Sequence, residues 1–288
     1  MPPLLRAARP HQWVKNVLVF AAPGAAGVLD QADALGKAAL MFVAFSLGAS
    51  GTYFWNDVLD VEADRAHPTK SRRPIASGQV GLGLARALGT LLPLLALGVA
   101  ALTGRWQPVA ALGAYMVITL SYSAVWKHVA VLDLVAIASG FVLRAAGGAL
   151  AVDVSMSSWF VLVTTFGSLF IVTGKRYAEA RELGDGAHAV RSTLGEYSES
   201  FLRFMLAVNC AGALVSYCMW AFETKELAGS DLPWYELSIV PMVTALFRYA
   251  LVLEQGHGAA PEEVFHNDRV LQLLGLGWVV AFGMAVYA

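Results

Sequence analysis

Apolar runs separated by short polar breaks recur along the whole chain. A membrane-crossing helix needs about 20 mostly apolar residues, and nine stretches come close: roughly 14–29, 38–56, 84–103, 107–125, 130–151, 157–175, 201–222, 233–253 and 269–287. The first is the weakest, because Pro23 and Gly24 interrupt it. Longer polar stretches fall only near 57–83, 175–200 and 254–268, and none is large enough for a soluble domain. The pattern predicts an all-α polytopic membrane protein, with residues 1–288 forming a single integral-membrane domain.

Composition agrees. Of 288 residues, 57% are hydrophobic and 14% charged, against about 25% charged in an ordinary soluble domain. The first residues, MPPLLRAARPHQWVKN, are polar and basic and do not read as a cleavable signal peptide. Cys210 and Cys218 lie in one apolar run and frame neither a disulfide scaffold nor a zinc site. The net charge of −1 points to no partner.

Lys and Arg in short loops mark the cytoplasmic side. With a cytoplasmic N-terminus, 16 of the 20 basic residues fall on that side and only Lys37, Arg105 and Lys225 on the other. Arg144 lies inside a span, where a charge is costly and normally faces a polar interior. All three long polar stretches fall on the cytoplasmic face, so the chemistry is expected there.

The most informative segment is NDVLDVEAD at 56–64, directly after an apolar run. If it continues the helix, successive residues turn about 100°. Taking Asp57 as zero, Asp60 falls near 300°, Asp64 near 340° and Asn56 near 260°, an arc of about 100°. Glu62 falls near 140°, on the far side. Three like charges on one face need a cation, and oxygen ligands favour Mg²⁺, which is commonly shared with substrate phosphates. The alternative is a solvated helix end whose acids pair with Arg65, Lys70 or Arg72. The next loop, HPTKSRRPIASG, carries Lys70, Arg72 and Arg73 between stiffening prolines, with Gly78 permitting a turn. Its guanidiniums suit phosphate oxygens. Acids beside bases at one membrane face suit a metal-bridged diphosphate. Basic loops at a cytoplasmic face need no function of their own, but that does not explain the neighbouring acids.

N-D-x-x-D-x-x-x-D followed by K-x-x-R-P-I-A-x-G resembles the UbiA superfamily of intramembrane prenyltransferases. That resemblance implies nine helices around a central cavity and a diphosphate donor bound through Mg²⁺, with Asp57, Asp60 and Asp64 as metal ligands and Asn56 beside them. The family's second aspartate cluster is not matched. The corresponding loop reads GKRYAEARELGDGAHAVRSTLGEY at 174–197. That loop, together with RPHQWVKNVLVFAAP at 9–23, HVAVLDLVAIASGFVLRAAGGA at 128–149 and PEEVFHNDRVLQLLGLGW at 261–278, resembles one branch, the decaprenyl-phosphate phosphoribosyltransferases of cell-wall arabinan synthesis.

The branch implies a phosphoribosyl pyrophosphate donor and a polyprenyl phosphate acceptor, in a multi-pass protein of the plasma (inner) membrane. Under that reading Lys15, Lys70, Arg72, Arg73, Lys127, Arg144, Lys175, Arg176, Tyr177, Glu179 and Arg191 are candidate substrate ligands. Glu179 has the alternative of a salt bridge to Arg176, Lys127 that of a snorkelling loop lysine, and Asp268–Arg269 reads as a cap or ion pair. No nucleic acid is expected as a partner; whether the chain forms a homo-oligomer is left open. Two other functions compete: prenyl transfer to an aromatic acceptor, and ion-coupled transport through Asp57, Asp60, Asp64 and Arg144.

Overall fold

The computed structural model describes residues 1–183, 192–229, 231–256, 258 and 261–288. The described residues are helical with short connections. In order they form α1 (Pro3–Ala8), a 3₁₀ helix (Pro10–Phe20), α2 (Ala21–Ala25), α3 (Ala32–Leu59), α4 (Val61–Ala66), α5 (Leu82–Ala101) and α6 (Trp106–Ala124). There follow α7 (Leu132–Val152), α8 (Ser158–Leu183), α9 (Glu199–Ala228), α10 (Trp234–Glu254), α11 (Pro261–Asn267) and α12 (Arg269–Tyr287).

Eight of the nine expected spans are long helices, and seven of these are long and apolar enough to cross a membrane. The expected span at 14–29 is not a long α-helix. It is the 3₁₀ helix followed by the five-residue α2. The tighter winding lengthens the segment. At about 2.0 Å rise per residue, eleven 3₁₀ residues extend about 22 Å, where an α-helix would give about 16 Å.

The chain divides into two compact units, Met1–Lys127 with Ser139–Ser155, and His128–Ala138 with Met156–Ala288. In the first unit α3 is the hub, packed by α1, the 3₁₀ helix, α5 and α6. Between membrane helices apolar surface gains little by association, so close approach through small residues does the packing. A Cβ on Gly51 would lie 2.3 Å from Pro93, one on Gly89 2.8 Å from Trp55, and one on Gly147 2.7 Å from Phe45. Gly148 is the tightest, since its Cβ would sit 1.8 Å from the Val19 carbonyl oxygen. The 3₁₀ helix is therefore seated against α7 backbone to backbone.

In the second unit α8 packs on α9 and α10, and α10 on α12. Gly212 admits the Phe166 ring and Gly174 the Leu253 side chain. α12 starts on Asp268, whose carboxylate accepts from the Leu271 N–H at 2.9 Å and from Arg248 at 2.8 Å. The expected cap or ion pair at Asp268 is thus both. The Arg248 hydrogen bond, then the Leu271 amide, hold the Asp268 carboxyl below the usual range. On α12, Leu273, Leu276, Val279 and Val280 are exposed, as a lipid-facing helix requires.

Gly148→Leu should force the 3₁₀ segment off α7. The expected outcome is a loss of at least 1–3 kcal/mol, roughly the cost of overpacking. Thermal unfolding in detergent measures it, and Gly113→Ala, at an open position, should change little.

Candidate active site

The first cluster forms where α3 ends. Asp60 breaks the helix at φ −93°, ψ 5°, closing α3 and opening α4. The backbone ladder nearly continues, with Asp60 N–H to Asn56 O at 3.0 Å and Asp64 N–H to Asp60 O at 2.8 Å. Asp57 and Asp64 therefore stay on one side, and both are buried. The loop 67–81 folds back over this end because Ile75 and Val80 pack with Phe54, Val58, Val61 and Ala85. Gly78, at φ +77°, makes the turn, a backbone state that glycine adopts freely.

This fold-back delivers Arg73. One Arg73 nitrogen lies 2.7 Å from an Asp64 oxygen and 3.4 Å from an Asp57 oxygen. Arg9 completes the set. It donates to Asp57 at 2.5 Å and lies over the Tyr53 ring, 5.0 Å from the centroid. Arg9 sits in the left-handed region at φ 53°, uncommon for a residue with a Cβ. Asp60 diverges from the pair and accepts from Lys127 at 2.5 Å.

Each acid thus has a basic partner, but the partners are Arg73, Arg9 and Lys127, not the expected Arg65, Lys70 or Arg72. Arg65 instead bonds Glu62 and the Ala76 carbonyl. Among the described residues no three His, Cys, Asp or Glu side chains stand grouped as ligands of one metal ion. The donor chemistry of two of them still suits a divalent cation, because carboxylate oxygens of Asp57 and Asp64 converge on one cationic nitrogen. Asn56 is half-buried, Lys70 is half-buried and Arg72 is exposed on the same segment.

Lys15 bonds Gln12 on the 3₁₀ helix. Its neighbour Asn16 is fully buried and donates to Ser46 at 3.0 Å. Arg144 donates to the Asn16 side-chain oxygen at 2.7 Å, to Gly140 O at 2.7 Å and to the Tyr115 hydroxyl at 3.0 Å. Its guanidinium also faces the Tyr115 ring at 4.5 Å. No acid pairs with it among the described residues. The geometry makes Arg144 a tie between the 3₁₀ helix, α6 and α7, and gives it no contact with the acid pair.

The second cluster lies in the other unit. Arg176 is buried on α8, paired with Glu179 one turn on and 3.7 Å from Asp133. Glu179 therefore takes its salt-bridge alternative. Lys175 lies 3.9 Å from Glu179. Asp133 is fully buried and accepts from the Tyr197 hydroxyl at 2.5 Å and from Thr193 at 3.4 Å. Burial first, then the bond to Asp133, push the Tyr197 phenol above its usual range. Arg191 lies outside the described residues.

Tyr177 points elsewhere. Its hydroxyl bonds Glu254 at 3.0 Å and accepts from Arg203 at 3.1 Å, in a network with Arg181. It is fully buried there. In that network its one polar atom already joins Glu254 and Arg203.

Residues 17–283 match the model of the UbiA prenyltransferase family. The chain belongs to that family. Among similar proteins, a decaprenyl-phosphate phosphoribosyltransferase of Corynebacterium glutamicum is 42% identical over 99% of this chain and 86% of its own length. One of Mycobacterium tuberculosis is 42% identical over 98% of this chain and 94% of its own. A solved UbiA homolog from Archaeoglobus fulgidus, bound to GPP and Mg²⁺, superposes with a TM-score of 0.75 at 17% identity, covering 99% of both chains. That last likeness bears on the fold alone.

Within this UbiA-family chain, sequence reasoning missed Arg9 and Asp133 as members of the two clusters. Both had a signal, since Arg9 opens RPHQWVKNVLVFAAP and Asp133 lies within HVAVLDLVAIASGFVLRAAGGA, two stretches that carry the branch resemblance. If Tyr177 is structural, Tyr177→Phe should lower stability by about 1–3 kcal/mol, the cost of leaving its buried partners unpaired. Thermal unfolding should register that loss while the Michaelis constants for both substrates stay within about twofold of wild type.

Proposed function

We infer that this protein transfers a 5-phosphoribosyl group from phosphoribosyl pyrophosphate to a polyprenyl, specifically decaprenyl, phosphate, releasing pyrophosphate. The observation that carries the reading is 42% identity to decaprenyl-phosphate phosphoribosyltransferases along nearly the full chain. The chemistry of the two clusters supports it. A donor with a pyrophosphate and a further 5-phosphate, meeting an acceptor that is itself a phosphate, calls for cationic side chains. The second cluster offers Lys175 and Arg176 where a second set of acids would serve a simpler prenyl diphosphate.

The reaction is a substitution at the anomeric carbon of the ribose. An oxygen of the lipid phosphate attacks, and the carbon–oxygen bond to pyrophosphate breaks. The acceptor is already ionised at pH 7, so no strong general base is needed. What the site must supply is alignment and stabilisation of the departing charge.

We assign Asp57 and Asp64 to hold Mg²⁺, which when bound withdraws charge from the leaving pyrophosphate. Asn56 and Asp60 flank that pair. Arg73 and Arg9 lie within reach of the same oxygens and serve the donor's phosphates, with Lys70 and Arg72 at the rim. Lys127 is a third phosphate ligand, exchanging its partner Asp60 for substrate. Lys175 and Arg176 bind further phosphate oxygens of the donor.

We place the N-terminus and the clusters on the cytoplasmic face of the plasma membrane, from the bias of Lys and Arg. The 3₁₀ helix and α2 together reach about 30 Å if collinear, enough for a ninth crossing of the single UbiA-like domain.

The test is transfer of label from phosphoribosyl pyrophosphate into decaprenyl phosphate by purified protein in detergent. Label should enter the organic phase with Mg²⁺ and not with EDTA. Asp57→Asn and Asp64→Asn should each cost about 100-fold or more while the protein stays folded. Transfer instead from a prenyl diphosphate to an aromatic acid would contradict the reading.

A further inference from the structure

Asp133 has no part in the roles assigned above, yet it is among the most completely buried charged groups of the described residues. It sits in the first turn of α7 and gathers three residues from two other segments of its own unit. Tyr197 and Thr193, from the stretch before α9, donate to its two oxygens at 2.5 and 3.4 Å. Arg176, from α8, brings its Nε within 3.7 Å. That Nε makes no hydrogen bond, so the link between the two is charge at close range.

A second observation converges on the same atoms. Val131, two residues before Asp133, has φ +69°. A β-branched residue in that region is a true outlier, and such strain persists only where surroundings over-determine it. Here the Tyr197 hydroxyl does so. It accepts from the Val131 N–H at 2.6 Å while donating to Asp133. One phenol thus locks the strained turn to the buried carboxylate, and the carboxylate faces Arg176.

A buried carboxylate with its own guanidinium is costly to assemble and is weak evidence for stability. Arg176 already has Glu179 as an ion-pair partner on its own helix. A second acid is not needed to neutralise it. Held between two carboxylates from different helices, however, the guanidinium loses its freedom to swing with the flexible stem.

We propose that Asp133, braced by Tyr197, is a positioning residue that pre-organises Arg176 for the phosphates of the donor. The proposal rests on Arg176 being a donor ligand. Asp133→Asn keeps the shape and the hydrogen bond from Tyr197 but removes the charge that faces Arg176. The Michaelis constant for phosphoribosyl pyrophosphate should rise about tenfold or more, in line with a charge-assisted contact. Turnover at saturating donor and the Michaelis constant for the lipid should change less than about threefold. Asp133→Glu should restore part of the loss. Tyr197→Phe, which removes the brace alone, should shift the donor constant in the same direction.

The decisive comparison is Arg176→Ala with Asp133→Asn. Contacting residues that act as one unit are non-additive, so the double variant should be no worse for donor than Arg176→Ala alone. If Arg176→Ala leaves the donor constant unchanged, Arg176 is no donor ligand and the assignment beneath the proposal fails. If Arg176→Ala raises it but Asp133→Asn and Tyr197→Phe do not, or if the losses add, the positioning role is overturned. A fall in unfolding temperature with equal losses for both substrates would make Asp133 a purely structural residue. Should Asp133→Asn not fold, Tyr197→Phe and the double variant Tyr197→Phe/Arg176→Ala carry the same comparison.

Discussion

Two carboxylates buried at the end of a membrane helix cannot stand unpaired. An uncompensated charge removed from water costs several kcal/mol, and Asp57 and Asp64 also repel each other. Arg73 answers both problems with one nitrogen, and Arg9 adds a second cation on Asp57. Much of the first unit's local form follows from this demand. The 67–81 loop must fold back, so it carries Ile75 and Val80 as apolar anchors and Gly78 as a turn. The N-terminal segment must come near, so Arg9 adopts a left-handed backbone and Trp13 bonds Ser50 beneath it. A place that needs a cation between two carboxylates is also a place suited to a divalent ion and the phosphates it accompanies.

The same economy appears deeper in the unit with neutral partners. Arg144 is buried without an acid and satisfies its donors on Asn16, Gly140 and Tyr115. That fixes the 3₁₀ helix against α6 and α7, and the absent Cβ of Gly148 lets the backbones touch. The segment that carries Arg9 toward the acids is therefore rigid where it enters the core. In the second unit the arrangement is inverted: there a guanidinium, Arg176, is the group being held, and the carboxylates of Asp133 and Glu179 hold it.

The long helices were legible in the sequence because twenty apolar residues in a row have few other uses. The pairing of Asp57 with Asp64 was legible because seven residues nearly complete two turns. Asp60 escaped the same reasoning because it is where the helix breaks, and a wheel assumes no break. The 3₁₀ helix escaped because its apolar content resembles that of a span, while its winding is set by tertiary contacts at Asn16 and Gly148. Arg9 and Arg73 looked alike as basic residues on a cytoplasmic face. What separates them from Arg72 is packing tens of residues away. Asp133 stood in the 128–149 stretch, but no motif said what it meets, and its meaning lies in what Tyr197, Thr193 and Arg176 bring to it.

We propose that the Asp57–Asp64 pair is where the donor's diphosphate binds. Calorimetric titration of phosphoribosyl pyrophosphate into purified protein, with and without Mg²⁺, addresses it without requiring turnover. Wild-type protein should bind only when Mg²⁺ is present, and Asp64→Asn should weaken that binding about tenfold or more, in line with loss of a charged contact. Equal affinity in wild type and Asp64→Asn, or binding indifferent to Mg²⁺, would contradict the account.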